Sequence, residues 1–360
     1  MKYLFVITGI GFGHTTRIDS IIRELSRLDK DAKIRIATFG LAVNYFKKRF
    51  PITELKGQYF QNTDIKLNSF KIVFNNLNYP KNYLQSKSIL KNLINEFQPD
   101  IVISDAQPEG ISVAKSMNKK SIYIFNLDFN EIDNKKFGFY AILLKKGVKY
   151  CHDKADKIII PVLTQNVKKQ DKIAYVNPII RDLPGRLQLE GKLMLDFGFK
   201  KAPILVTIGG SPFGLKLVKS VIQNAKYFDE EFIIFGVKLR PLSDNVKILP
   251  FQPNFLEYLK VCKGIITLAG HSTCSEILFY KKPALIFPIH DYLEQYQNGK
   301  LMRHYALIGD SDKIGLIYVR NKMEEFFNNL DKLRLKLKEI SYNENGATQA
   351  ARIILQEMNI

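Results

Sequence analysis

The feature that most constrains this chain is a run of short, nearly all-apolar, β-rich segments that recurs in two series. The first comprises "KYLFVIT" (Lys2 to Thr8), "KIRIATF" (Lys33 to Phe39), "DIVISD" (Asp100 to Asp105), "SIYIFN" (Ser121 to Asn126) and "KIIIPV" (Lys157 to Val162). Such runs belong to strands buried on both faces, as in a parallel sheet covered by helices. Helical spacings lie between several of them, for example Ile18, Ile21, Ile22 and Leu25, which share one face of a helix. The pattern then restarts with "PILVTIGG" (Pro203 to Gly210), "EFIIFG" (Glu231 to Gly236), "VKILPF" (Val246 to Phe251), "GIITLAG" (Gly264 to Gly270) and "PALIFPI" (Pro283 to Ile289). Strand, helix, strand in succession defines a doubly wound α/β domain, and the restart predicts two of them. A chain of 360 residues has room for both. The stretch "VNPIIRDLPGRLQLEGK" (Val176 to Lys192) reads as the linker, giving domains over residues 1–180 and 181–345. The lysine-rich run from Asn321 to Glu339 and the closing segment from Ala347 read as helices, and the helix over 346–360 is expected to pack back on the first domain. Two such sheets are expected to face a central cleft, with ligands at the carboxyl ends of the strands.

Composition narrows the class. With 46% hydrophobic and 25% charged residues the chain is globular, and no apolar run approaches the roughly 18 to 20 residues that span a bilayer. The amino terminus lacks a signal-peptide cleavage pattern, so a cytoplasmic protein is expected. Cys151, Cys262 and Cys274 have no metal-finger spacing and read as ordinary reduced thiols. The net charge of +19 is uneven: residues 1–180 carry 29 Lys and Arg against 16 Asp and Glu, and residues 181–360 carry 25 against 19. Such a surface can attract an anionic membrane or a phosphate-bearing substrate, or it can be a solvated lysine-rich exterior. No nucleic-acid-binding module is recognisable, so no nucleic-acid partner is expected.

The loops after the strands carry the chemistry. "ITGIGFGHTTR" places Gly9, Gly11 and Gly13 directly before His14. That turn suits a phosphate cradle, a tight reversal or the placing of a histidine. "TIGGSPFG" puts Gly209, Gly210 and Ser211 between a strand and a helix, where backbone N–H groups suit a diphosphate. In "LAGHSTCSEILFYKKP", Thr273 and Glu276 have the spacing of a capping box, and Glu276 alternatively offers a carboxylate to a ligand's paired hydroxyls. Asp291, Glu294 and Gln295 gather hydrogen-bonding groups after the strand that ends at Ile289. His271, His290, Asp291 and Glu294 are conceivable metal ligands, but no H-x-E, H-x-x-x-H or D-x-D pattern accompanies them and no metal is expected. Asp105 closes a strand of the first series; it either caps the next helix or lies near His14, where a carboxylate would fix the imidazole tautomer and support the other nitrogen as a base.

The block "LAGHSTCSEILFYKKPALIFPIHDYLEQYQNGKLMRHYALIG" resembles the donor-binding segment of family 28 and related family 1 glycosyltransferases of the GT-B fold. Gly270, Ser275, Glu276, Pro283, Pro288, Asp291, Gln295 and Asn298 occupy the matching places in order. "GFGHTTR", "VNPIIRD", "TIGGS" and "PFQPNFLEYLKVCKGIIT" match further stretches of the family, so the resemblance runs from Ile7 to about Gly309. It implies that Gly209, Gly210 and Ser211 meet a donor diphosphate, that Phe251 and the Gln252 backbone face the nucleobase, and that Glu276 binds the ribose. Gly270, His271 and Ser272 would line the same donor site, with Gln295 and Asp291 or Glu294 reading the sugar. His14 matches the acceptor-side histidine, Asp105 the acid that orients it in a related branch, and Gly11, Gly13 and Thr15 the acceptor-side loop.

The function so implied is transfer of a hexose or N-acetylhexosamine from a nucleotide diphosphate sugar to an acceptor hydroxyl, with UDP the nucleotide that the resemblance favours. Inversion without a metal or other cofactor is part of the same expectation. The acceptor is a carbohydrate or is lipid-linked. The family's paired glutamines are replaced here by Glu294 and Gln295, and its acceptor loops are not recognisable. "NKKFGFYAILLKKGVKY" (Asn134 to Tyr150) reads either as an interfacial patch docking an anionic membrane or as a core helix with lysines in water. A nucleotide-sugar 2-epimerase of the same architecture and a non-catalytic sugar-nucleotide binding protein are the competing functions.

Overall fold

The structure is a computed structural model that describes residues 1–58, 76–127, 134–164, 171–209 and 214–358, with the backbone alone for 134–140. The described residues divide into two compact units, one running to Arg181 and resuming at Glu344, the other spanning Asp182 to Asn343.

The first unit alternates β1 (Lys2–Ile7), α1 (Phe12–Leu28), β2 (Lys33–Thr38), α2 (Leu41–Phe46), β3 (Ile52–Glu54), α3 (Tyr79–Phe97), β4 (Ile101–Asp105), α4 (Pro108–Ser116), β5 (Lys120–Ile124), α5 (Asn134–Lys154), β6 (Lys157–Pro161) and β7 (Ile173–Val176). Its strands form one parallel sheet in the order β3-β2-β1-β4-β5-β6-β7. Both faces are covered, and the strand period of two assigns each side chain to a face. Tyr3, Phe5 and Ile7 of β1 and Ile101 and Ile103 of β4 join Ile18, Ile21, Ile22 and Leu25 of α1 in one core. Leu4, Val6 and Val102 point the other way, into a core with Leu90, Leu93 and Ile94 of α3 and Val113 and Ala114 of α4. This parity matters for the site, because Asp105 follows Ile101 and Ile103 and so faces α1.

The second unit contains α6 (Glu190–Asp196), β8 (Ile204–Thr207), α7 (Leu215–Asn224), β9 (Phe232–Phe235), β10 (Val246–Leu249), α8 (Phe255–Val261), β11 (Gly264–Leu268), α9 (His271–Tyr280), β12 (Ala284–Phe287), α10 (Leu293–Met302), β13 (Leu307–Ile308), α11 (Leu316–Asn328) and α12 (Leu330–Lys338). Its parallel sheet has the order β10-β9-β8-β11-β12-β13 around a core that includes Val206, Ile234, Ile266, Leu285 and Phe287. The lysine-rich run lies in two helices that meet at Asn329.

The last helix, α13 (Gly346–Gln356), belongs to the first unit and packs Ala347, Ala350, Ala351 and Ile354 into the α1 core. Asn345 anchors it: its side chain accepts from the Ala347 and Ile180 N–H groups and donates to the Ile180 carbonyl. Gly346 sits so close to the preceding chain that a Cβ would lie 1.8 Å from the Asn177 oxygen.

Candidate active site

The turn after β1 is built by close approach. A Cβ on Gly9 would lie 1.7 Å from the Phe39 oxygen at the end of β2, so no larger residue fits without moving that strand end. Gly11 precedes α1 with φ of 77°, the left-handed region that glycine enters without strain. α1 starts at once, so Gly13 and Thr15, read from the sequence as loop, lie in its first turns. Thr15 is fully buried, with its hydroxyl directed at the Gly11 carbonyl at 3.4 Å.

His14 projects from the first turn of α1 toward the end of β4, which pairs with β1 in parallel so that Ile7 and Asp105 are level. The His14 Nδ1 lies 2.8 Å from Asp105 Oδ1. Asp105 does not cap α4, whose cap position is Gln107 with no side-chain bond. The sequence reading did not single out Arg17, which reaches the same carboxylate from one turn along α1, with Nε 3.0 Å from Oδ2 and Nη2 2.6 Å from Oδ1. Its Nη2 is also 2.8 Å from His14 Nδ1. The signal was available in "GHTTR": residues three apart on a helix are neighbours on its surface. Asp105 is fully buried and the Arg17 side chain is 5% exposed, whereas the His14 side chain is 18% exposed. Burial alone would raise the Asp105 pKa, but the Arg17 charge, then His14, outweigh it and hold the carboxyl below its ordinary range.

These contacts frame the choice of tautomer. Arg17 can only donate and an ionised Asp105 can only accept, so Nδ1 between them must satisfy one of the two. With the proton on Nδ1, the imidazole donates a charge-assisted bond to Asp105 and Nε2 keeps its lone pair. With Nδ1 bare, the ring would instead accept from Arg17 Nη2 and set its lone pair against Asp105 Oδ1, 2.8 Å from each.

In the second unit the sequence-selected residues gather at the carboxyl edge of the sheet. Gly209 follows β8 with φ of 64°, its N–H directed at the Thr207 hydroxyl at 3.3 Å; Gly210 and Ser211 lie outside the described residues. The capping box does not form. α9 begins three residues earlier than that reading required, with the extended Gly270 at its cap position and no side-chain cap bond. His271, Ser272 and Glu276 therefore lie in the first two turns, with His271 and Glu276 buried. Gln295, on α10, is buried, and its Oε1 accepts from the Ala269 N–H at 3.3 Å and the Ile289 N–H at 3.2 Å. Asn298 donates to the Ala269 carbonyl. These two amides tie the ends of β11 and β12 together, a structural task the sequence did not reveal. Asp291 is exposed in the preceding turn, and Glu294 is half-buried beside the Tyr292 hydroxyl. Phe251 is 61% exposed and, with Val237, Leu239, Ile248 and Pro250, lines a groove of about 700 Å³; Gln252 follows it. Among the described residues, His290, Asp310 and Asp312 are close enough to share an ion, but Asp312 is exposed and both carboxylates lie against the His290 ring, at 3.7 and 3.2 Å.

Two doubly wound parallel sheets with their candidate groups at the carboxyl edges are the architecture of GT-B glycosyltransferases. CalG4, the calicheamicin glycosyltransferase, superposes with a TM-score of 0.70 at 15% identity, covering 99% of this chain and 98% of that one. MurG of Acinetobacter baumannii does so with a TM-score of 0.67 at 14% identity, covering 99% and 100%. The sequence model described as Glycosyl transferase family 1 matches residues 1–330, so the chain belongs to that family and is a glycosyltransferase. An uncharacterized glycosyltransferase of Methanosarcina mazei is 27% identical over 84% of this chain and 83% of its own length. The UDP-N-acetylglucosamine--N-acetylmuramyl-(pentapeptide) pyrophosphoryl-undecaprenol N-acetylglucosamine transferase of Thermosipho africanus is 26% identical over 99% and 98%.

Proposed function

We propose that the enzyme moves a hexose or N-acetylhexosamine from a UDP-linked donor to an acceptor hydroxyl, with inversion and without a metal. The observation that carries this reading is the His14–Asp105 contact at 2.8 Å, which supports a ring protonated on Nδ1 with Nε2 as the base, on a partly exposed side chain. In the transfer step Nε2 takes the acceptor O–H proton as that oxygen bonds the anomeric carbon. The bond from that carbon to the diphosphate oxygen breaks, and its electron pair leaves with the nucleotide. A single displacement inverts the centre. The start of α7, after Gly214, offers N–H groups and a helix dipole to the departing diphosphate. Phe251 and its apolar groove suit the face of a nucleobase, Glu276 the ribose hydroxyls, and Asp291, Glu294 and the Gln295 amide the sugar.

In the first unit, a cavity of about 590 Å³ at the ends of β2 and β3 is lined by Glu54, Lys56, Gln58, Tyr79 and Asn82 and suits a hydroxyl-rich acceptor. The name of the Thermosipho relative, which contains a pyrophosphoryl-undecaprenol acceptor, supports a lipid-linked one. So does α5, which buries Ala141, Val148 and Cys151 but presents Ile142, Leu143 and Tyr150 outward with Lys146 and Lys149. No helix among the described residues is long and apolar enough to cross a membrane, so this face would dock rather than insert. Absence of co-sedimentation with anionic vesicles at low salt would remove the membrane from the proposal. The function itself is tested by a screen of nucleotide diphosphate sugars for nucleotide release. Release that requires an added acceptor supports transfer; turnover of donor alone with formation of its 2-epimer refutes it.

A further inference from the structure

We propose that Arg17 is a positioning residue: by holding Asp105 through two N–H bonds it cancels the carboxylate's charge and keeps His14 neutral, with Nε2 open for the acceptor proton. The inference rests on the reading of His14 as the base, and it adds a third member to the pair.

The argument is one of charge count in a closed space. A histidine beside a lone buried carboxylate is pushed toward imidazolium, because the opposite charge favours the protonated ring. An imidazolium cannot accept a proton, so an aspartate that orients the ring also tends to disable it. Here the carboxylate is already engaged on both oxygens by a guanidinium that is itself nearly excluded from water. The ion pair is neutral as a whole, and a second cation on His14 would sit 2.8 Å from Arg17 Nη2. Asp105 therefore keeps its acceptor geometry toward Nδ1 while its pull on a second proton is offset. The parity of β4 aims Asp105 at α1, and the i,i+3 spacing puts His14 and Arg17 on one helix face, so the three groups meet only because both registers agree.

The other titratable groups near the cluster, among the described residues, reinforce this assignment. Behind Asp105, Tyr123 of β5 contacts the Cys151 thiol of α5, and Glu109 of α4 lies a step beyond. Burial raises the Tyr123 hydroxyl and Cys151 thiol far above neutrality and also raises Glu109. Tyr123 and Cys151 stay uncharged at neutral pH, and Arg17 is the one described lysine or arginine in bonding contact with Asp105.

The test reads the ring directly and needs no substrate. The chain has five histidines, so selective 15N labelling gives a countable set of imidazole signals, and the spectrum of His14→Gln identifies the one from His14. In the wild type the His14 ring is expected to show a protonated Nδ1 and a bare Nε2 at about pH 7. In Arg17→Met the midpoint of its titration is expected to move up by about 1 to 3 pH units. Arg17→Lys, which keeps the charge, should stay closer to wild type than Arg17→Met. Should Arg17→Met fail to fold, Arg17→Gln, which keeps a donor without the charge, carries the same expectation. An unchanged or lowered midpoint in the charge-removing variant overturns the proposal, as does a wild-type ring that is bare on Nδ1. Failure of the base assignment is separately visible: sugar transfer undiminished in His14→Ala would end that reading whatever the ring titration gives.

Discussion

Replacing Asp105 by Asn removes the charge at the centre of the first unit's polar cluster while keeping its shape, and the consequence for stability can be worked from the contacts. The wild-type carboxylate accepts two N–H bonds from Arg17 and lies 2.8 Å from His14 Nδ1 while fully buried. The amide retains one acceptor oxygen, so the loss is the charge-assisted part of those bonds, with a guanidinium left buried beside a neutral group. Breaking one side of a buried ion pair costs about 3 to 5 kcal/mol, and the retained oxygen places this substitution near 3. For a unit of this size that lowers the thermal midpoint by about 6 to 12 °C. The double variant Arg17→Met, Asp105→Leu removes both charges and should recover part of the loss, because neither charge is then buried without the other, while His14 Nδ1 gives up both of its contacts. The pH dependence has a fixed sign. Asp105 has its folded pKa lowered, so its contribution is fully present above the unfolded value near 3.8 and is lost as pH falls through the folded value. The stability gap between wild type and Asp105→Asn, measured by urea denaturation, should therefore persist at pH 5 and close only below about 3.8. A thermal midpoint within about 2 °C of wild type, or a gap that closes between pH 7 and 5, would refute the reasoning.

Three further outcomes follow from contacts already described. Gln295→Leu should cost about 2 to 4 kcal/mol in denaturant midpoint analysis, since it leaves the buried Ala269 and Ile289 N–H groups without their shared acceptor; a loss below 0.5 would mean the tie is dispensable. Gly9→Ala should abolish accumulation of folded protein, because its Cβ would meet the Phe39 oxygen at 1.7 Å, while Gly191→Ala, with open space around it, should leave the yield unchanged. The three buried thiols should be silent to Ellman's reagent in the native state and all react in guanidinium; burial pushes Cys151 and Cys262 up to about 12 and Cys274 higher still.

The ten apolar runs all became strands, because a strand covered on both faces needs an apolar residue at nearly every position. The three strands the sequence did not disclose, Ile52–Glu54, Ile173–Val176 and Leu307–Ile308, are all at sheet edges. There one side is uncovered, and a segment as short as "ITE" or "LI" carries no periodic signal. The meeting of His14 and Asp105 was legible because parallel strands bring their carboxyl ends to one edge. Arg17 was overlooked because an arginine on a helix reads as a solvated charge until a buried carboxylate opposite it is known. The capping box failed for a related reason: Thr273 and Glu276 have the right spacing, but the chain turns into α9 already at Gly270, and spacing alone does not fix where a helix starts. Gln295 shows the limit for a side chain with two ends, since the sequence cannot say which one the backbone will use.

The central claim is that His14 is the base of a sugar transfer. It is tested most directly by measuring UDP binding calorimetrically and acceptor-dependent UDP release on one preparation each of wild type and His14→Ala. The account predicts unchanged UDP affinity with turnover reduced by about 10² to 10⁴. Undiminished turnover in His14→Ala would contradict it.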